Sequence, residues 1–472
     1  MIRSPDASEE AANDLDLETV RSVAADLFVH LFPMVLIDAV RQAHGWDRRQ
    51  FQLAPQEAAS LAPGFEGDDD GLVVLASAWL DLEQEPAILR LPHTHGRHTE
   101  LNLWDASGTI FASFGARTGE DSGGDIALVG PRWRGQLPSS LKVRRAPTDG
   151  VWAVSRIHAH SLLDRPTALA RAHRLCVALL RCERELLHPA VGVLQPPLVS
   201  CLRQAEDISP ADLFARLDNL VARADPTGQS RFRSRLGDLL GRLGGPPGPS
   251  AWSPAFVEAL ERGFADGLSA IRTAGAQTTR RTPGWRVAPP GLGDSGLDSL
   301  TRAARAFTSL GAPPREDLLT LVCDRDDRGW PLSSVNGYRL HFAQNALPPV
   351  QGFWRLSVRA TSARERPRGL GDRSDLIPNP DGSLDIFVQH APPAPGQIRN
   401  WLQAPPGEWT LVMRLHNPRP EAFSKAWRMP AVDRLGGRGA GANPGPWRWR
   451  PAFTPQPRLR DPHRPPSEEL SL

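Results

Sequence analysis

The sequence predicts an α+β chain: an N-terminal antiparallel meander and a C-terminal β-sandwich-like domain, with a helical segment between and around them. Three observations predict it. Short runs in two stretches alternate apolar and polar residues, turn residues punctuate those runs, and the stretch between them has helical spacing with Ser-Pro start signals. The clearest run is Asn379–His390. Pro380-Asp381-Gly382 is a turn signal, after which Leu384, Ile386 and Val388 point one way and Asp385, Phe387 and Gln389 the other.

In chain order, residues 1–16 are polar and acidic and read as a flexible arm. Leu17–His44 has apolar positions at Val20, Val23, Ala24, Leu27 and Leu31, a helical pattern that Pro33 is placed to split in two. Leu72–Leu82, Ala87–Leu91, Glu100–Trp104, Thr109–Phe114, Asp125–Val129 and Val151–Arg156 are strand-like and complete a domain over 17–156. Arg165–Leu187, two segments within Ser209–Leu243, Ser253–Ala274 and Leu297–Leu310 are helical and form a connecting region over 157–315. Ser209-Pro210 and Ser253-Pro254 each supply an N-cap and a first-turn proline. Leu318–Cys323, Tyr338–Phe342, Gly352–Arg359, Ser383–Gln389 and Glu408–His416 are the strands of the domain over 316–435. Residues 436–472 are rich in Gly, Pro and Arg and read as a disordered tail.

Composition narrows the function classes. Hydrophobic residues at 40% and charged residues at 23% fit a globular chain, and the length fits more than one core. The net charge is only +2, so the arginines are balanced by acids and give no nucleic-acid footprint. Cys176, Cys182, Cys201 and Cys323 form no C-x-x-C pair, which leaves zinc-ribbon and redox motifs without support. The N-terminus has no apolar signal-peptide core, and the longest apolar runs are interrupted and read as too short to span a bilayer. The expectation is a cytoplasmic protein with reduced thiols.

Several motifs in this order resemble a bacterial two-domain family, domain of unknown function 1254 followed by domain of unknown function 1214. In the first half they are SAWLDL (Ser77–Leu82), Gly96-Arg97, FASFGARTG (Phe111–Gly119), GDIALVGPRWRG (Gly124–Gly135) and VWAVSR (Val151–Arg156). In the second they are DDRGWPL (Asp326–Leu332), YRLHF (Tyr338–Phe342), LPPVQGFWRLSV (Leu347–Val358), NPDGSL (Asn379–Leu384) and RLHNP (Arg414–Pro418). The resemblance implies an α+β first half and a sandwich-like second half, and no reaction. This chain departs from the family pattern where tyrosines usually follow Gly-Arg: here His98 and Thr99 stand. Its one tyrosine is Tyr338. Such departures point to a divergent member that lacks the family's polar site.

Three constellations carry chemistry. His93, His95 and His98 in LPHTHGRH have a spacing that could close a three-imidazole metal site or sit on a solvated turn; no metal is assigned. His158 and His160 repeat the spacing. Alternation in the second domain places Arg339, His341, Arg355, Ser357, Arg359, Asp385, Gln389, Arg414 and His416 off the core, a face suited to carboxylate or phosphate or simply a wet surface. Arg97, Asp105, Arg117 and Arg302 lie in family motifs, as anion binders or as loop anchors such as an Arg117–Asp105 pair. With Tyr338 and Trp354, these give the candidate ligand residues Arg97, Asp105, Arg117, Arg302, Tyr338, Arg339, His341, Trp354, Arg355 and Arg414. No nucleophile elbow or phosphate loop is present, since GLGDSG (Gly291–Gly296) follows coil rather than a strand.

The function expected is binding of a small anionic or amphipathic molecule in the cleft between the β domains. The alternatives are a hydrolytic enzyme at the same cleft and a protein-interaction scaffold using the Trp/Arg tail. The catalytic residues and any cofactor stay unknown. Arg, His and a carboxylate converging on an open pocket would favour chemistry.

Overall fold

The structure, a computed structural model, describes residues 16–44, 52–53, 72–119, 123–179, 198–226, 231–243, 252–277, 279–282, 284–287, 298–360, 368–424 and 426–435. The expected arm (apart from Asp16), Cys182, the Gly291–Gly296 run and the tail lie outside these residues.

Helix α1 (Leu17–His44) starts where Asp16 accepts from the Glu18 and Thr19 backbone N–H groups. It runs unbroken through Pro33, against expectation. The lost hydrogen bond and the ring clash cost about 3 kcal/mol, but Val29 and Leu31–Ile37 are all buried in the helical layer, and that burial outweighs the cost. By length and composition Leu17–Ala43 is apolar enough to cross a membrane, which corrects the reading of its apolar runs as too short. Of its most apolar window, 83% is buried inside this fold.

The first domain has two sheets. One, in the order β1-β2-β8-β4-β5, contains β1 (Gln52–Leu53), β2 (Val73–Asp81), β4 (Thr99–Asp105), β5 (Ile110–Gly115) and β8 (Gly150–His158). The other, β7-β6-β3-β9, contains β3 (Ala87–Leu91), β6 (Gly124–Val129), β7 (Lys142–Arg145) and β9 (Cys176–Leu179). Leu101, Leu103, Val151, Ala153, Leu89, Ile126 and Leu128 fill the space between them. Helix α2 (Arg165–Ala172) covers only the start of the helix expected over Arg165–Leu187, and Cys176–Leu179 of that stretch forms β9 instead. A short apolar run fits a buried strand as well as a helix, and the open edge of β3 decides it. Strand β7 escaped notice because KVRR is wholly exposed and shows no alternation.

Helices α3 (Leu198–Glu206), α4 (Pro210–Ala224), α5 (Arg231–Arg242), α6 (Pro254–Gly275) and α7 (Ser299–Ser309) join α1 in a layer over the other face of β4 and β8, where Trp104, Trp152 and Val154 belong to the same core. Ser209, Ser253 and Asp298 cap α4, α6 and α7 through side-chain bonds to backbone N–H groups. A Cβ at Gly263 or Gly267 of α6 would strike the carbonyls of Arg21 and Ala25, so these glycines set how closely α1 approaches.

The second domain is a sandwich. One sheet, in the order β10-β11-β12-β18-β14-β15, comprises β10 (Thr279–Thr282), β11 (Trp285–Val287), β12 (Leu318–Cys323), β14 (Val350–Ala360), β15 (Arg368–Gly371) and β18 (Trp409–Pro418). The other, β17-β16-β13-β19, comprises β13 (Gly337–Phe342), β16 (Leu384–Gln389), β17 (Trp401–Gln403) and β19 (Val432–Leu435). Tyr338, Leu340, Phe342, Leu356, Val358, Ile386, Leu411 and Met413 meet between them. The predicted alternation of β16 is present: Leu384, Ile386 and Val388 are buried while their neighbours are partly exposed.

The expected Arg/His face does not form as one surface. Arg339, His341, Asp385 and Gln389 lie on the outside of one sheet, and Arg355, Ser357, Arg414 and His416 on the outside of the other, with the core between.

Candidate metal centre

Register places the centre. In β4 and β8, Trp104 pairs with Trp152, Asn102 with Val154 and Glu100 with Arg156; one step on, the His158 N–H donates to the His98 carbonyl at 3.1 Å. Because alternate residues share a face, this face runs from tryptophans under α1 to His98, Glu100, Arg156 and His158 at its far end. The outer face of β18 covers that end and supplies His416.

His98, Glu100, His158 and His416 bring four ligand atoms within 4.8 Å of one another, and all four residues are buried at 3–5% exposure. Glu100 Oε1 lies 2.9 Å from His98 Nε2, 3.9 Å from His158 Nε2 and 3.8 Å from His416 Nδ1. Only the first is a hydrogen bond. Glu100 Oε2, His158 Nε2 and His416 Nδ1 are buried with no hydrogen-bond partner. Orphaned buried polar atoms cost free energy and are rare in folded chains; two imidazole nitrogens orphaned beside one buried carboxylate ask for a shared partner.

The electrostatics favour a cation. Burial pushes the His158 imidazole well below its usual range, with His416 and His98 adding to the effect. Burial likewise pushes His416 down, to about 4, against the pull of Glu100. Burial alone would raise the Glu100 carboxyl, but the neighbouring His416 and His98 imidazoles hold it well below the usual carboxylate range. Neutral imidazoles around an ionised carboxylate are the donor state a metal needs. Metal–ligand bonds of about 2.0–2.2 Å place two donors roughly 3–4.4 Å apart, so small side-chain movements bring this set around one ion.

Neighbouring groups hold the donors. Arg97 donates to the His158 carbonyl at 2.8 Å and forms a two-pronged pair with Asp164, whose carboxyl it drives far down. Phe353 stacks on His416, 4.1 Å between ring centroids and 10° from parallel, and Arg373 sits over the other side of Phe353 at 3.8 Å. Asp317 accepts from Asn102 at 3.1 Å and pairs with Arg117, tying the domains together beside the cluster. Two recesses flank it. One of about 440 Å³, mouth included, is bordered by Leu72, His158, His160, Phe353, Arg373 and His416; a smaller one of about 200 Å³ by His98, Glu100, Arg117 and Asp317.

The sequence-predicted residues distribute unevenly. Arg97, Arg117, Trp354 and Arg355 adjoin the cluster or its recesses. Arg414 is buried at the seam and donates to Ser357 at 3.5 Å. Tyr338 is a core residue whose hydroxyl accepts from the Ser333 N–H, and Arg339 and His341 lie on the far sheet beside Asp433 and Asp385. Arg117 does not pair with Asp105: it reaches Asp317 across the seam, while Asp105 staples its own turn through Ser107 and Thr109 and faces Arg302. Of the histidines in LPHTHGRH only His98 turns inward. The rings of His93 and His95 lie against each other in the turn, tilted by 39°, and the His95 N–H donates to His93 Nδ1 at 2.9 Å. Glu100, His158 and His416 were each visible in sequence, but nothing there joined them.

Residues 70–178 match the family model described as protein of unknown function (DUF1254), and residues 317–420 that described as protein of unknown function (DUF1214). The chain is a two-domain protein with these domains in that order. His98, Glu100 and His158 come from the first matched region and His416 from the second. The crystal structure of the VPA0106 protein from Vibrio parahaemolyticus is similar at 18% identity and a TM-score of 0.62, covering 88% of this chain and 100% of its own, which shows a shared fold. That of an uncharacterised protein from Burkholderia cenocepacia covers 91% of this chain and 93% of its own at 14% identity, with a TM-score of 0.39. No curated protein matches.

Proposed function

We propose that the protein is a metal-dependent enzyme acting on a small molecule at the seam of its two domains, with His98, Glu100, His158 and His416 as ligands to a divalent first-row transition ion. One observation carries this reading: four buried donors from both domains converge, and three of their atoms have no other partner. Imidazole-rich sets with one carboxylate suit zinc, iron, copper or nickel. The recess beside His158 and His416 argues for chemistry over a purely structural ion, because catalytic sites keep an open coordination position while structural sites are closed. A bound ion would supply a Lewis acid and an activated water, which makes hydrolysis the natural reaction class.

The test is metal content after expression without chelators and after reloading with zinc, iron, nickel or copper. Wild-type protein should hold about one ion per chain, His158→Ala and His416→Ala almost none, and His341→Ala as much as wild type. Equal content in wild type and the two cluster variants would end the proposal. A second reading, an ion that only fastens the domains, draws on the 3–5% exposure of the donors. Under it, removing metal lowers Tm while substrate screens on loaded protein stay blank.

A further inference from the structure

The larger recess has the makings of a recognition site in its own right. Arg373 stands at its mouth on a tight turn. Gly371 opens that turn because a Cβ there would strike the Trp354 carbonyl, and Ser374 closes it, its hydroxyl accepting from the Gly371 N–H at 3.0 Å. The guanidinium carbon lies over the Phe353 ring, 3.8 Å from its centroid. Among the described residues Arg373 forms no ion pair. Its neighbour Asp372 accepts from the Trp354 backbone N–H at 3.3 Å. Arg355 and His160 border the same recess, and no carboxylate does. The rest of the wall mixes Leu72, Ala159, Phe353 and Trp354 with Ser374, and His158 and His416 form the floor.

A stacked guanidinium on a rigid turn is pre-organised for an oxyanion, since its donor fork is fixed before the ligand arrives. Leu72 and Ala159 offer apolar surface to the body of a ligand whose charged end meets Arg373. We infer that this recess binds an amphipathic small molecule through one oxyanion, a carboxylate or a phosphate, held by Arg373, with its apolar portion running past Leu72 and Ala159 toward the floor formed by His158 and His416. This deepens the metal reading and rests on it only for what the ligand meets at the floor.

The probes are octanoate and inorganic phosphate, titrated by calorimetry into metal-reloaded full-length protein whose metal content is measured in parallel. Octanoate should bind at one site, more tightly than phosphate. Arg373→Ala should weaken it tenfold or more with metal content unchanged, Arg373→Lys should fall between, and Leu72→Ala should weaken octanoate while sparing phosphate. Phosphate binding as tightly as octanoate, with the same dependence on Arg373, would assign the site to phosphate and overturn the apolar half of the inference. No binding by either probe, or binding indifferent to Arg373, would overturn it entirely. Metal retained without anion binding removes this inference alone; Arg373-dependent binding to protein that takes up no metal removes the metal reading alone.

Discussion

The two outer faces of the sandwich look alike in sequence and differ completely in structure. Each is written by the same alternation, core residue then polar residue, and each carries a histidine beside a carboxylate. On the sheet of β13 and β16, His341 Nδ1 meets Asp385 at 2.7 Å with its side chain 41% exposed, and Arg339 reaches Asp433 at 3.5 Å. On the sheet of β14 and β18, His416 is 3% exposed, sealed under the first domain and next to Glu100 from another strand system. Alternation states which residues leave a core and is silent on what they meet. Water completes the first face and satisfies it; the second is completed by another domain, so its unsatisfied atoms have to find their partners there.

The largest expected effect tests the core that both faces share. Leu340→Ala removes a fully buried side chain facing both sheets and should cost about 2–5 kcal/mol by denaturant unfolding, whichever face lies behind it. A loss well under 1 kcal/mol would mean that the sheets are not joined through this core. Next, Asp317→Ala removes the buried acceptor of Arg117 and Asn102 at the seam, leaves the buried Asn102 amide short of a partner and should cost about 1–3 kcal/mol. On the wet face, Asp385→Ala should cost at most about 1 kcal/mol, because His341 can turn to solvent. If thermal scans rank these two the other way round, the contrast between the faces is wrong. The smallest effect is an absence of reaction. Burial pushes the Cys323 thiol up to about 12, so it should resist alkylation at pH 8 until the domain unfolds; rapid labelling of native protein at this position would show that the core of β12 is open.

Much of the fold was legible because its strands announce themselves by period and punctuation. Leu318–Cys323 and Ala87–Leu91 match the structure end to end, and the Ser-Pro starts mark α4 and α6. Strands built from charge, such as Lys142–Arg145, gave no such signal, and Pro33 was overruled by burial that only the folded chain supplies. The site was legible in pieces. His98 stands where the family resemblance expects a tyrosine, His158 follows the VWAVSR motif, and His416 sits in the polar register of its strand. What sequence withheld was the pairing of β4 with β8 and the docking of β18 on their end. Those are long-range facts fixed by register and by the fit of one domain to another, and local periodicity does not encode them. The same limit produced the mistaken Arg117–Asp105 pair: both residues border one strand hairpin, yet one faces its own turn and the other the seam.

The most direct test of the centre is X-ray absorption spectroscopy on protein loaded with one zinc per chain, read alongside His416→Ala. The structure predicts a nitrogen-rich sphere with three imidazoles and one carboxylate, and the loss of one imidazole's scattering in the variant. A sphere made of sulfur or of oxygen alone, or one unchanged by His416→Ala, would place the metal elsewhere and contradict the account.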